Sequence, residues 1–330
     1  QTKKDAVSAG VTTIGSENLS KLNPSTSVDN MLQGKAVGVD VTALNGKPGQ
    51  TAYMKVRGAV SLNVKGGDKS QPLYVVDGVF VDKDDMNILN PNDIESMSVL
   101  KDASATALYG SRGANGVVLI TTKQGKKGRT KFTYTARTGF GDKTPDPFEM
   151  MNAEEKMDFE QIVSPGAYTR TPETRALLKS YEHNWKDDIL KTSQIISHVF
   201  SASGANENTS YFVSGGWDKN TGIIRKLEGF NRYTGRFNFT SKMTDKLKFG
   251  LNSSFAQTRD RNNIQNPFRA IYLYNPYEPV YKRDNKGNFI RDDNNELVYN
   301  TGSQGFSILE ALENQPRTDK TIQLLASIYG

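Results

Sequence analysis

The most informative part of the sequence consists of two segments, Pro72-Leu-Tyr-Val-Val-Asp-Gly78 and Asn92-Asp-Ile-Glu-Ser-Met-Ser-Val-Leu-Lys-Asp-Ala-Ser-Ala-Thr-Ala-Leu-Tyr-Gly-Ser-Arg-Gly-Ala-Asn-Gly-Val-Val-Leu-Ile-Thr-Thr-Lys123. Its β-branched runs are short and are bounded by Gly, Pro, Asn or Asp, which is typical of strands. They predict strands over Leu73–Val76, Ser96–Leu100 and Gly116–Thr122. A helix is predicted over Ala103–Tyr109, with Gly110 as its C-cap.

Upstream of this stretch the pattern is similar. Strands are predicted over Val37–Thr42 and Ala52–Val56, and a short helix over Ser27–Leu32 with Ser27 as its N-cap. No βαβ repeat of ordinary length separates these elements. Residues 1–123 are therefore predicted to form one small domain of the α+β class.

The pattern changes after a linker predicted at residues 124–130, where two glycines and three cations cannot build a core. From there to residue 330, apolar and polar residues alternate in six segments, which predicts six strands of the length that crosses a bilayer when tilted. They cover residues 131–138, 195–204, 209–217, 232–239, 247–255 and 321–328.

The connections between these strands alternate between long and short. Outer-membrane β-barrels show this asymmetry, with tight periplasmic turns and long extracellular loops. The predicted connections are residues 140–194, 205–208, 218–230, 242–245 and 259–319. Amphipathic helices are predicted over residues 148–163 and 172–191, and a hairpin over 276–300. A soluble β-sandwich, as part of a secreted all-β module that binds glycans or proteins, is the alternative.

Composition excludes several classes. Residues 1–123 carry 13 basic and 12 acidic side chains, and residues 124–330 carry 29 and 24, so no basic face for nucleic acid is predicted. The chain has no cysteine and only two histidines, His183 and His198, which leaves no support for catalysis by nucleophile and base. No apolar run approaches the length of a membrane helix. We therefore predict no enzyme activity and no partner nucleic acid.

Two oxygen-rich loop segments invite a cation. Asp284–Asn288 and the group Asp292, Asn294 and Glu296 carry the oxygen ligands that calcium prefers. The acidic run Asp82–Asn87 does not fit the EF-hand template. We predict no cofactor, with a calcium ion bound in the loops as the open alternative.

The stretch at residues 72–123 resembles the plug domain of SusC/RagA-like TonB-dependent outer-membrane transporters. Residues 29–39 and 54–58 are similar to the same plug. Residues 184–190, 209–216 and 230–238 are similar to the first barrel strands of the family. The resemblance implies that residues 1–123 are a plug and residues 131–330 the first six strands of a barrel that has 22 strands when complete.

The family implies a location, a function and partners. The location is the outer membrane of a Gram-negative bacterium, in contact with its lipid. The function is TonB-dependent uptake of bulky nutrients, either oligosaccharides or oligopeptides, through a barrel that the plug gates. A SusD-like surface lipoprotein would cover the barrel as a lid, and TonB would bind a TonB box upstream of Gln1. Nothing in the sequence distinguishes a glycan from a peptide substrate.

The resemblance to a plugged barrel also implies candidate site residues. Plug loops that face outward would form the floor of the substrate cavity, and the loops Ser61–Gln71 and Asp82–Asn87 fit that position. We predict substrate contacts there, from the side chains Asn63, Asp68, Asp82 and Asp85. We predict ion pairs between plug and barrel from Arg57, Glu95 and Arg112.

Overall fold

The computed structural model describes residues 11–17, 27–42, 47–56, 71–101, 107–144, 149–262, 267–284, 286–314 and 317–330. Within them the N-terminal part contains β1 (Val11–Gly15), β2 (Val39–Thr42), β3 (Tyr53–Val56), β4 (Leu73–Val76), β5 (Val79–Val81), β6 (Ile94–Leu100) and β7 (Val117–Thr122). Five of them form a sheet in the order β1-β6-β7-β4-β5, in which only β4 and β7 run parallel; β2 and β3 pair separately. The α+β prediction is confirmed.

Two of these strands, β1 and β5, were not predicted. β5 has only three residues and follows β4 through a two-residue turn at Asp77 and Gly78, which both have positive φ, at 47° and 89°. An Asp-Gly pair is a strong signal for this hairpin turn, because Gly adopts positive φ without steric cost. The turn therefore was readable from the sequence.

Several short helices differ from the predictions. A 3-10 helix covers Asp29–Leu32 after Val28, and Ser27 does not cap it. Another covers Ala107–Gly113, with a non-helical Gly110 inside it rather than after it, while residues 103–106 of the predicted helix lie outside the described residues. Two more 3-10 helices, Lys83–Ile88 and Pro91–Asp93, lie between β5 and β6.

The remaining strands form a second sheet, here called the wall. It consists of β8 (Gly128–Gly141), β9 (Ser193–Ala205), β10 (Thr209–Asn220), β11 (Gly229–Lys242), β12 (Lys248–Asn262) and β13 (Arg317–Tyr329), all antiparallel and in sequence order. These are the six strands that alternation predicted. β8 begins at Gly128, so three residues predicted as linker are part of the wall.

The long connections fold on their own core. They contain α1 (Ala153–Val163), α2 (Pro172–Lys179), α3 (Trp185–Ile189), α4 (Pro267–Leu273) and α5 (Ile308–Asn314). Residues predicted as one helix over 172–191 thus form two, and α4 and α5 were not predicted. Trp185 stacks on Tyr274, and both bury against Ile271, Ile308 and Leu312. The predicted hairpin at 276–300 is present as isolated bridges, including Tyr281 with Tyr299.

The core of the N-terminal domain contacts the wall. Its buried cluster includes Met54, Met97, Val118 and Ile120, and it extends to Ala256 of β12, which is fully buried. The domain therefore packs against one face of the wall. No helix in the described residues is long and apolar enough to cross a membrane.

One buried carboxylate in this core predicts a pH dependence. Burial raises the pKa of Asp29 from 3.8 to about 6. Between these values the unfolded chain ionises while the folded domain keeps its proton, so stability falls as the pH rises. Above pH 6 the cost reaches about 3 kcal/mol.

We therefore expect Asp29→Asn to stabilise the domain at pH 7.5 and to have little effect at pH 3.5. The measurement is urea-dependent proteolysis of the domain in the whole protein at both pH values. Asp40→Asn, at an exposed position of the same domain, serves as the control. An equal effect of Asp29→Asn at both pH values would contradict the assignment.

Candidate functional site

The polar face of the wall is buried against the N-terminal domain. On β11, Arg232, Arg236 and Asn238 are at most 5% exposed, whereas the intervening Tyr233 and Phe237 are 51% and 42% exposed. Successive side chains on a strand point to opposite faces, so the polar residues of β11 form an inner face. Here the polar residues are inside and the aromatic residues outside.

The first contact across this interface centres on Asp77, in the turn between β4 and β5. Its Oδ1 accepts a hydrogen bond from the backbone N–H of Thr122 at 2.9 Å, and its Oδ2 accepts one from the Thr122 hydroxyl at 2.6 Å. The Arg236 guanidinium forms an ion pair with Oδ2, and both side chains are less than a tenth exposed. Arg236 also donates to the Ser254 hydroxyl at 2.6 Å. Each partner is thus held by its own domain as well as by the other.

Asn238, two residues after Arg236 and on the same face of β11, adds two hydrogen bonds to this contact. Its Nδ2 donates to the Thr122 hydroxyl at 3.1 Å and to the Lys123 carbonyl at 2.8 Å. The end of β7 is therefore held to the wall through both its side chain and its backbone.

A second contact lies beside the 3-10 helix Pro91–Asp93. Arg232 and Asp218 pair within the wall, where the guanidinium donates to Asp218 Oδ2 at 3.1 Å and 2.8 Å. Across the interface, Arg232 donates to the Leu89 carbonyl at 3.4 Å. Asn90 donates to Thr234 Oγ1 at 3.2 Å and to Asp218 Oδ2 at 3.4 Å. A Cβ on Gly216 would lie 2.6 Å from both Asn90 Nδ2 and Thr234 Oγ1, so a larger residue there would displace this hydrogen bond.

Asp93 forms the third contact. Its Oδ2 accepts a hydrogen bond from the Ser214 hydroxyl at 2.7 Å, while its Oδ1 has no partner in the described residues. Burial raises the pKa of Asp93, and burial likewise lowers the pKa of Lys123, whose Nζ donates to the Asn92 carbonyl at 2.6 Å. A buried carboxylate such as Asp93 lowers the stability of the folded state unless a positive charge lies near it.

The three contacts together make an interface of hydrogen bonds and ion pairs. Separation of such an interface exposes groups that water can solvate, whereas separation of an apolar interface exposes surface that water disfavours. The chemistry of this site is therefore that of buried polar contacts, which lie beside the apolar contact at Ala256.

The residues predicted to form plug–barrel ion pairs lie elsewhere. Glu95 pairs with Lys126, in the predicted linker, at 2.9 Å, and the guanidinium of Arg112 lies over the Phe80 ring of its own domain at 5.0 Å. Among the described residues neither side chain is paired with a wall strand, and ion pairs of these two residues with the barrel stay a prediction. Arg57 lies outside the described residues. The sequence signal for the observed contact is Arg236, which lies four residues after Arg232 on the polar side of β11.

Of the predicted substrate residues, Asn63 and Asp68 lie outside the described residues. Asp82 is exposed just before the 3-10 helix Lys83–Ile88. Asp85, within that helix, accepts a hydrogen bond from Gln323 of β13. Asp85 thus contacts the wall, and the role of these four residues in substrate binding stays a prediction.

The oxygen-rich loop segments form turns. Asp284 Oδ1 accepts from the backbone N–H groups of Lys286 and Asn288, and Asp292 Oδ1 accepts from those of Asn294 and Glu296. In the part of the chain that is described, no group of three or more His, Cys, Asp or Glu side chains is placed to hold a metal. The calcium prediction stays untested.

The plug-like domain and the antiparallel wall define a class, that of outer-membrane β-barrels with an internal plug. Residues 3–117 match the family described as TonB-dependent Receptor Plug Domain. The chain is 33% identical over 299 residues to TonB-dependent receptor SusC of Bacteroides thetaiotaomicron, covering 88% of this chain and 28% of the relative. It is 34% identical over 292 residues to TonB-dependent receptor P26 of Formosa agariphila, covering 87% and 28%.

Solved structures agree. The RagAB peptide transporter superposes with a TM-score of 0.78 at 28% identity, covering 98% of this chain and 39% of that chain. The chain belongs to the SusC-like TonB-dependent receptors, a family of outer-membrane proteins of Gram-negative bacteria. It spans about a quarter of the length of the curated relatives that it matches. The predicted family, fold class and location are confirmed, and the secreted all-β module is not favoured.

The Asp77–Arg236 pair predicts a large effect of a single change. Arg236→Met leaves the Asp77 carboxylate buried without its counter-charge, and such changes cost about 3–5 kcal/mol. We expect urea-dependent proteolysis of the plug in the whole protein to begin at a clearly lower urea concentration.

Two further variants make this test specific. Lys226→Met breaks the exposed Lys226–Glu313 pair of the loops, 3.2 Å long, and should cost about 0–1 kcal/mol. Adding Asp77→Asn to Arg236→Met should restore part of the loss, because the unpaired charge is removed. Additive losses in the double variant would show that the two side chains do not act as a pair.

Proposed function

We propose that this chain forms the gated entrance of an outer-membrane transporter that imports bulky nutrients, oligosaccharides or oligopeptides. The observation that carries the proposal is the polar interface that holds the N-terminal domain against the inner face of the wall. A barrel wide enough for such nutrients leaks unless its lumen is filled. A plug bound by Asp77, Asn90 and Asp93 fills it and stays removable.

The partners in this proposal follow from the family. A SusD-like surface lipoprotein closes the outer mouth, and TonB acts on a TonB box upstream of Gln1. The RagAB structures that resemble this chain are described as a peptide importer, which supports uptake of nutrients of oligomer size. Members of this family are transporters, and we propose that this chain has no enzyme activity.

The surroundings of the two histidines support the absence of catalysis. His198 accepts from or donates to the Tyr134 hydroxyl at 2.7 Å on the outer side of the wall and stacks on Trp217. His183 Nε2 lies 3.5 Å from Asp188 in the loops, with its ring against Trp185. In neither place does a described serine or threonine hydroxyl bond to the ring, as a nucleophile–base pair requires.

Locking the plug to the wall tests the gate. In the whole transporter, Asp93→Cys and Ser214→Cys place two thiols where the native side chains are 2.7 Å apart, and the sequence described here has no other cysteine. A short thiol-specific crosslinker should abolish uptake of the nutrient by cells, and a cleavable crosslinker should restore uptake after reduction.

Each single-cysteine variant, treated with the same reagent, is the control for the loss of the native contact. Full uptake by the crosslinked double variant would refute a plug that must leave the wall. Crosslinking should leave binding of the nutrient at the outer mouth unchanged, which separates gating from recognition.

Substrate contact by the plug loops is tested separately. We propose that Asn63, Asp68, Asp82 and Asp85 meet hydroxyl or amide groups of the nutrient. Each of the four alanine variants is titrated with the native oligosaccharide or oligopeptide. Asp82→Ala should weaken binding by about fivefold, the effect of one lost hydrogen bond of about 1 kcal/mol. Unchanged affinity in all four, with the plug folded, would transfer recognition to the barrel loops and the lid.

A further inference from the structure

The outer face of the wall is apolar over most of its height. Apolar side chains that point away from the plug are more than 40% exposed on every one of the six wall strands. They are Phe132, Tyr134, Phe140, Phe200, Val213, Tyr233, Phe237, Phe255, Ile322, Leu324 and Ile328. In an outer-membrane barrel this face contacts lipid.

The charged residues on this face are all basic and all lie at one end. By strand register, Lys219, Asn231, Arg259 and Lys320 are neighbours on adjacent strands and point outward, with Arg261 one outward position further. Across the other outward positions of the described wall strands there is no Asp, Glu, Lys or Arg. The row from Lys219 to Lys320 spans three strand spacings, about 14 Å.

This end of the wall is the extracellular end. The connections there are residues 142–192, 221–228 and 263–316, whereas the opposite end has the turns 206–208 and 243–247. Long loops are extracellular and short turns periplasmic in bacterial outer-membrane barrels. The basic row therefore lies at the level of the outer leaflet.

An aromatic row fixes the depth of the basic row more closely. His198, Trp217 and Tyr233 are neighbours in register, two residues below the basic row, and the Trp217 ring stacks on His198. Trp and Tyr concentrate where hydrocarbon meets the headgroups. Two residues along a strand are about 7 Å, so the basic row lies at the headgroups.

The outward positions of the described wall strands carry no Asp or Glu that could balance the basic row. Arg259 and Lys320 are direct cross-strand partners, and like charges in that position destabilise a sheet. Arg261 pairs with Glu228, but none of the ion pairs found in the described residues involves Lys219, Arg259 or Lys320. Just above the row, burial together with the charges of Arg225 and Lys219 lowers the pKa of Lys191.

We propose that Lys219, Arg259 and Lys320 bind the phosphate groups of the phosphorylated glycolipid that forms the outer leaflet. Phosphate oxygens accept charge-assisted hydrogen bonds from guanidinium and ammonium groups. The acyl chains of the same lipid lie on the apolar band beneath, beside Tyr233, Phe255 and Ile322. A lipid satisfies both parts of the surface at once, which a free phosphate ion does not.

The test uses the whole transporter in detergent and purified lipopolysaccharide. Lys219→Gln, Arg259→Gln and Lys320→Gln are combined, and lipid binding is measured by native mass spectrometry. The control combines Lys246→Gln, Lys282→Gln and Lys286→Gln, which remove the same charge from exposed positions off the outer face of the wall. Each basic residue near a charged membrane surface contributes about fivefold, so the triple variant should bind about 100-fold more weakly.

Two further ligands test whether the protein binds the phosphates of the lipid or free phosphate. Lipid from which the phosphates have been removed should bind unmodified protein as weakly as phosphorylated lipid binds the triple variant. Millimolar inorganic phosphate should not displace the phosphorylated lipid. Equal binding of lipid by triple and control variants would overturn the proposal, as would full displacement by inorganic phosphate.

Discussion

The carboxylate of Asp77, buried against the Arg236 guanidinium, is the contact on which the arrangement of plug and wall depends. A carboxylate removed from water is stable only with a counter-charge and with donors for its remaining oxygen lone pairs. Thr122 supplies those donors from the plug, and Ser254 orients the arginine from the wall. The pair consequently adds a specific polar contact between the two sheets, beside the apolar contact at Ala256.

The strand alternation of the wall could be predicted from the sequence, because one side of each strand meets lipid and the other meets the plug. The partners of the polar side chains on the wall were harder to predict. Arg232 and Arg236 read as solvated charges in isolation, and besides Asp218 and Ser254 of the wall they bond the plug, at the Leu89 carbonyl and at Asp77. These plug partners lie more than a hundred residues away in sequence, where no local pattern connects them.

The extracellular helices escaped prediction for a related reason. α4 and α5 are short, and their amphipathic pattern is weak over seven residues. They are stabilised by tertiary burial of Ile271, Ile308 and Leu312 around Trp185, which comes from a different loop. The helix α1, by contrast, carries a local signal, the capping box of Asn152 and Glu155, and lies within the stretch predicted as helical.

The order of strands in the plug sheet determines how a pulling force would travel through it. β1 is an edge strand of five residues and pairs only with β6, while the wall is held through the ends of β7 and the β4–β5 turn. Tension applied upstream of Val11 acts first on this single ladder of backbone hydrogen bonds. Along that path the pairing of β1 with β6 therefore comes before the wall contact of Asp77 with Arg236.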